Sequence, residues 1–208
     1  MPALSSGWWN TYMFQNILSE HIAFLERVLV QSRTVTEVLR KAPTLDLPDW
    51  YVGAGAIAQT VWNELHGYSS GHGLKDCDLV YFDRDLSTET QGVYRQSASK
   101  LFASLPVEVE LTNEARVHLW YQKKFGRDIP PYRSTEEAIN TWPTTATSVG
   151  VRYRSGLFEV YAPYGLGDLL GMVVRPNKVL VSRQVYEQKV GRWKHVWPKL
   201  EIVAWEDA

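Results

Sequence analysis

Asp76-Cys77-Asp78-Leu79-Val80-Tyr81-Phe82 reads as a β-strand in every respect except its two acids. Aspartate is among the poorest strand formers, so two of them in an apolar, β-prone run need a reason. Side chains alternate along a strand, which predicts Asp76 and Asp78 on one face and Cys77 on the other. Like charges at that spacing repel, and a bridging divalent cation removes the penalty. Taken alone, the pair equally fits two acids facing water at a strand end.

The flanking segments sharpen the reading. Upstream, Trp50-Tyr51-Val52 is a short β-prone run that stops at Gly53-Ala54-Gly55 and passes straight into a helix. That helix carries Ile57, Val61 and Leu65 at four-residue steps, and His66-Gly67 closes it. Small residues at such a turn let a ligand reach the backbone, and the N–H groups of a helix start favour phosphate. Downstream, Val107-Glu108-Val109-Glu110-Leu111 alternates strictly and predicts a second strand with one acidic face. Beside the first strand it would add a third carboxylate. Three hard oxygen ligands on a rigid sheet suit Mg²⁺, which keeps waters and takes further ligands from substrate phosphates.

The remaining pattern predicts an amphipathic helix over 16–32 and a short one over 36–41. A helix capped by Ser87 runs to about 105, and another, capped by Asn113, ends at Gly126. Ser134-Thr135-Glu136-Glu137 is a capping box. Residues 148–154 and 157–162 flank Ser155-Gly156 as a hairpin, and the C-terminal part reads as mostly helix. The class is α/β or α+β, a mixed sheet flanked by helices. Sequence order leaves open which strands are parallel. A single domain over 1–208 is expected, with a core at about 50–175 and helical extensions at both ends.

Composition sets outer bounds. The chain has 208 residues, 45% hydrophobic and 22% charged, enough for one ordinary globular core. A formal net charge of -1 argues against a protein that coats nucleic acid or an acidic membrane, so long nucleic acid is a disfavoured partner though a local basic groove is compatible. One cysteine, Cys77, allows no intramolecular disulfide, and no stretch approaches the roughly 18 apolar residues of a membrane span. A cytoplasmic setting is the expectation. Nine tryptophans predict large aromatic plugs in the core.

Several strings in order along 52–177 resemble an uncharacterised nucleotidyltransferase-like family of the polymerase beta-type superfamily. They are Ala54-Gly55-Ala56-Ile57, Thr60-Val61-Trp62-Asn63, Leu65-His66-Gly67-Tyr68, Asp76 to Asp83, Asn113 to Trp120, Pro143 to Thr147 and Arg175-Pro176-Asn177. The resemblance implies the nucleotidyltransferase fold, with Gly55 as the motif glycine and Asp76 and Asp78 as metal ligands and catalytic groups. Glu110 is the implied third acid, with Glu108 as the alternative. It implies a nucleoside triphosphate donor with Mg²⁺, and it supplies no acceptor. Two positions depart from the pattern: Ala56 stands where Gly or Ser is usual, and Ala58 where related sequences carry Arg.

Around the nucleotide, Gly53, Gly55, Ala56, Arg116 and Arg175 are the candidate binding residues. Arg116 could equally form a surface ion pair with Asp83 or Glu114. His118, about 200° further round a helix, cannot share a site with it and reads as a partly buried histidine. Arg175, Asn177, Lys178 and Lys189 could hold a triphosphate tail or form a solvated face. Lys75 is expected to face away from both acids and close a loop. Cys77 is rejected as a nucleophile because it faces away from the acids with no activating base nearby.

The expected activity is metal-dependent transfer of a nucleoside monophosphate from an NTP to a hydroxyl acceptor. The alternative is a catalytically degenerate nucleotide-binding or protein-interaction module on the same fold. A metal-dependent glycosyltransferase ranks last.

Overall fold

A computed structural model describes residues 6–208, with side chains from Ile17 onward; residues 1–5 of the domain expected over 1–208 lie outside the described residues. Helix α1 (Ser6–Leu29) leads into α2 (Arg33–Lys41), whose N-cap Ser32 accepts from Val35 N–H. Strand β1 (Tyr51–Gly53) runs directly into α3 (Ala54–His66), and Gly67, at φ 73°, ends that helix in the left-handed conformation. Strand β2 (Asp76–Tyr81) is followed by α4 (Thr88–Leu101), capped by Ser87 and ending a turn earlier than the sequence pattern predicts. Strand β3 (Glu108–Asn113) passes through a 3₁₀ turn (Glu114–Arg116) into α5 (His118–Phe125). Helix α6 (Thr135–Ile139) then precedes the hairpin of β4 (Gly150–Arg154) and β5 (Leu157–Tyr161).

The C-terminal part departs from the mostly helical expectation. A short α7 (Gly167–Leu170), β6 (Val173–Val174), α8 (Arg183–Val196) and β7 (Glu201–Ile202) follow, and β6 pairs in parallel with β7. Two-residue strands leave no period in the sequence to detect.

The main sheet has the order β3-β2-β1-β4-β5. Strands β2 and β3 are parallel, as expected for a pair joined by a helical crossover, while β1 is antiparallel to both β2 and β4. Its two faces differ. Val52, Cys77, Leu79 and Leu111 point into the main core, where Leu25, Val35, Ile57 and Trp62 meet them. The opposite face carries the acids and a small cluster of Tyr51, Val80 and Ile139. Arg152, 5% exposed, is held between Asp49 at 3.1 Å and Glu159 at 2.7 Å beneath that face, with its guanidinium 4.0 Å from the Tyr51 ring. Among the described residues no helix is long and apolar enough to cross a membrane.

Trp62, Trp193 and Trp197 behave as core plugs. Trp193 and Trp197 meet Trp62 edge-on at 5.3 and 5.6 Å, and Trp197 Nε1 donates to Asn63 Oδ1 at 2.7 Å. These contacts pin the C-terminal end of α8 over α3.

Candidate nucleotide and metal site

Strand alternation puts Asp76 and Asp78 on the same face, and the parallel register sets Glu108 beside Asp76 and Glu110 beside Asp78. On the other side of β2, Gly53 is the register partner of Asp78. Asp76, Asp78 and Glu110 line one cavity of about 300 Å³. Glu108 does not reach it. It lies at the exposed start of β3 in a neighbouring hollow with Arg95 that Glu110 also borders, so of the two candidate third acids Glu110 is the one that lines the cavity of the pair.

The electrostatics follow from crowding. Burial, then the charges of Asp76 and Glu110, push the Asp78 carboxyl up to about 7, against the pull of Lys189 and of the Gly55 N–H that donates to it. Lys189 in turn is lowered by its own burial, opposed by Asp78. Cys77 faces the core, fully buried, and burial raises its thiol far above the usual range, as suits a structural cysteine.

The β1–α3 turn supplies the neighbouring wall. Ala54 sits at φ 53°, a left-handed conformation that costs a Cβ-bearing residue about 1 kcal/mol. Its N–H donates to Val149 O at 3.1 Å, which helps hold the turn. No side chain caps α3; Ala54 N–H is taken by Val149 O and Gly55 N–H by Asp78, and Ala54, Gly55 and Gln59 line the cavity. Gln59 Oε1 is buried with no hydrogen-bond partner.

Not every expected binding residue reaches this cavity. Gly53 is needed for packing: a Cβ there would lie 2.5 Å from the Trp142 ring and 2.9 Å from Val149 O. Ala56, like Ala58, is fully buried in the main core, because the helix turns it away from the Gly55 face. Arg116 follows the far end of β3 and donates to Leu86 O, away from the acids that open β2. Arg175 pairs with Asp168 at 3.2 Å, and Lys178 is taken by Ala208 O. Asn177 is buried and holds the carbonyls of Asn140 and Trp142. His118 is partly buried, but its Nδ1 has no partner.

Of the basic set named as a possible triphosphate holder, Lys189 reaches the cavity, and the structure adds Arg192 beside it. Lys189, Arg192, Trp193 and Val196 line the cavity from α8. Their spacing of three, four and seven is one helix face, a signal legible in the sequence once α8 is known to cover the sheet. Lys75 also lines the cavity, contrary to the expectation that it turns away; it precedes β2, so strand alternation does not govern it.

Among the described residues no three His, Cys, Asp or Glu side chains form a group that would hold a metal unaided. The donor set nevertheless fits Mg²⁺, which binds through one or two carboxylates and completes its shell with water and phosphate oxygen. The crowded acids around Asp78, only partly offset by Lys189 and the Gly55 N–H, are the feature a divalent cation would relieve.

Fold and site together define the nucleotidyltransferase class: a mixed sheet with paired strand aspartates beside a helix N-terminus. Residues 40–202 match a family model described as nucleotidyltransferase, and the chain belongs to that family. A solved structure described as "a CCA-adding enzyme head domain" is similar, with TM-score 0.68 and 28% identity over 86% of this chain and 95% of that one. No curated protein matches the chain.

Proposed function

We propose that this protein transfers a nucleoside monophosphate from a nucleoside triphosphate to a hydroxyl, with Mg²⁺ held by Asp76 and Asp78 and Glu110 completing the acidic set. The supporting observation is the placement of Asp76 and Asp78 between an uncapped α3 N-terminus and the cationic face of α8. Lys189 and Arg192 would seat the triphosphate beside the α3 N-terminus, and Lys75 would add charge at the rim.

The acceptor oxygen attacks the α-phosphorus and forms the new O–P bond. The bond from that phosphorus to the β-phosphate's bridging oxygen breaks, and pyrophosphate departs toward Lys189 and Arg192. The acceptor's proton goes to solvent at the exposed Glu110 edge. Bound Mg²⁺ supplies charge neutralisation for the phosphate oxygens.

The acceptor is open, and the likeness to a CCA-adding head domain puts nucleic-acid hydroxyls among those to test. The test is transfer of label from α-³²P-labelled NTPs into RNA and metabolite fractions. Mg²⁺-dependent labelling lost in Asp76→Asn supports the reading, and equal labelling by that variant rejects it. A second reading, a degenerate binding module, is favoured by one feature: α3 presents no charged side chain to the cavity, only Ala54, Gly55 and Gln59. Mg²⁺-dependent NTP binding without transfer to any fraction would select it.

A further inference from the structure

A second cavity of about 760 Å³ opens on the other side of Glu110. Glu110 and Pro143 line both cavities, so the two adjoin at the third acid. One wall of the second is α5, where the rings of Trp120, Tyr121 and Phe125 cluster with centroids 4.6 to 6.5 Å apart. Lys124 lies 5.4 Å from the rings of both Trp120 and Phe125, and Arg127 follows just beyond the helix. Trp120 and Phe125 remain 38% and 43% exposed, unlike the tryptophans that plug the core. At the base lies Glu114, 5% exposed.

The position of this groove gives it a role. In the sheet order, β1 and β3 flank β2 on opposite sides. The α3 N-terminus, beside which the triphosphate would sit, follows β1, whereas Glu110 belongs to β3. In-line displacement puts the entering oxygen opposite the leaving pyrophosphate. The groove beyond Glu110 is therefore on the entering side.

Its chemistry narrows the occupant. Flat aromatic walls accept a planar ring, and Lys124 and Arg127 complement a phosphate attached to it. A volume of about 760 Å³ fits a small-molecule-sized group or the end of a chain, not a duplex. We infer that this groove is the acceptor site and that it takes a nucleotide, its base stacked on Trp120 and its phosphate held by Lys124 and Arg127. This inference rests on the nucleotidyltransferase reading for the direction of attack, but its test reads binding alone.

Direct titration, without NTP, of a fluorescein-labelled single-stranded RNA hexamer with a free 3′ hydroxyl and, separately, of AMP decides the matter. Wild type, Trp120→Ala, Lys124→Ala and Asp76→Asn are compared. Hexamer binding that weakens roughly ten-fold or more in Trp120→Ala and also falls in Lys124→Ala, yet survives in Asp76→Asn, supports a polynucleotide end. The same losses seen for AMP with no hexamer binding support a free nucleotide. Binding of neither probe, or binding unchanged in Trp120→Ala, overturns the proposal, as does a dimer in sedimentation that Trp120→Ala dissociates. Failure of transfer in the labelling experiment, with these binding losses intact, would strike the reaction and leave the groove standing.

Discussion

Asp78 and Glu110 stand directly opposite each other, register partners on adjacent parallel strands, and with Asp76 they crowd negative charge into one cavity. The arrangement costs stability in the absence of a cation, because like charges on a partly buried sheet repel. Asp78→Asn should therefore keep or raise the thermal midpoint in EDTA at pH 8 while abolishing any stabilisation by Mg²⁺ with NTP. A midpoint lowered by several degrees would show that the carboxylate is a structural group.

Glu114 gives the metal-free fold a pH dependence. Burial, then the nearby Asp78 charge, pushes its carboxyl up to about 8 from an ordinary value near 4.5. Between those values the unfolded chain has released the proton and the native state still holds it. Fewer protons in the unfolded state mean that stability falls as pH rises. The contribution is fully present below about pH 4.5 and lost as pH passes about 8. Urea denaturation in EDTA from pH 5 to 8.5 should show this decline, and Glu114→Gln should flatten part of it.

The two glycines of the β1–α3 turn should separate packing from ligand binding. In Gly53→Ala the new methyl meets the Trp142 ring at 2.5 Å and backbone at 2.9 Å, and overpacking of this kind costs about 2 kcal/mol. In Gly55→Ala the contact is the movable end of Gln59 at 3.0 Å, at a position inside the helix. That variant should fold normally and lose NTP-induced stabilisation. Equal thermal midpoints for the two would contradict the distinction.

The α8 clamp depends on one buried amide. Asn63 accepts from Trp197 Nε1 and donates to Ser70 O at 3.2 Å and His72 O at 2.9 Å. Asn63→Ala leaves an indole N–H and two carbonyls without this partner, a loss of about 3 kcal/mol. Chemical denaturation measures it, and a change under about 1 kcal/mol would mean that water replaces the amide.

The element types and the acidic face were readable because strand alternation is local: Asp76, Asp78 and Glu110 each declare their side of a strand within a few residues. The choice between Glu108 and Glu110 was not readable, because it depends on the β2–β3 register and on which end of β3 opens into the cavity. Arg116 misled for the same reason: adjacency in sequence to the β3 acids concealed that the intervening strand carries it to the opposite end. Lys189 and Arg192 lie more than a hundred residues beyond Asp78, and only the packing of Trp193 and Trp197 on Trp62 brings them over the sheet. The two-residue pairing of β6 with β7 left no periodic trace.

The most direct test of the central claim is a thermal-shift titration of wild type and Asp76→Asn with ATP, GTP, CTP and UTP, each with Mg²⁺ and with EDTA. A ligand bound only to the native state adds about 2.7 kcal/mol at a hundred-fold excess over Kd. A Mg²⁺-dependent upward shift with at least one NTP in wild type, absent in Asp76→Asn, is the predicted result. An identical shift in both proteins, or none with any nucleotide, would contradict a metal–nucleotide site at Asp76 and Asp78.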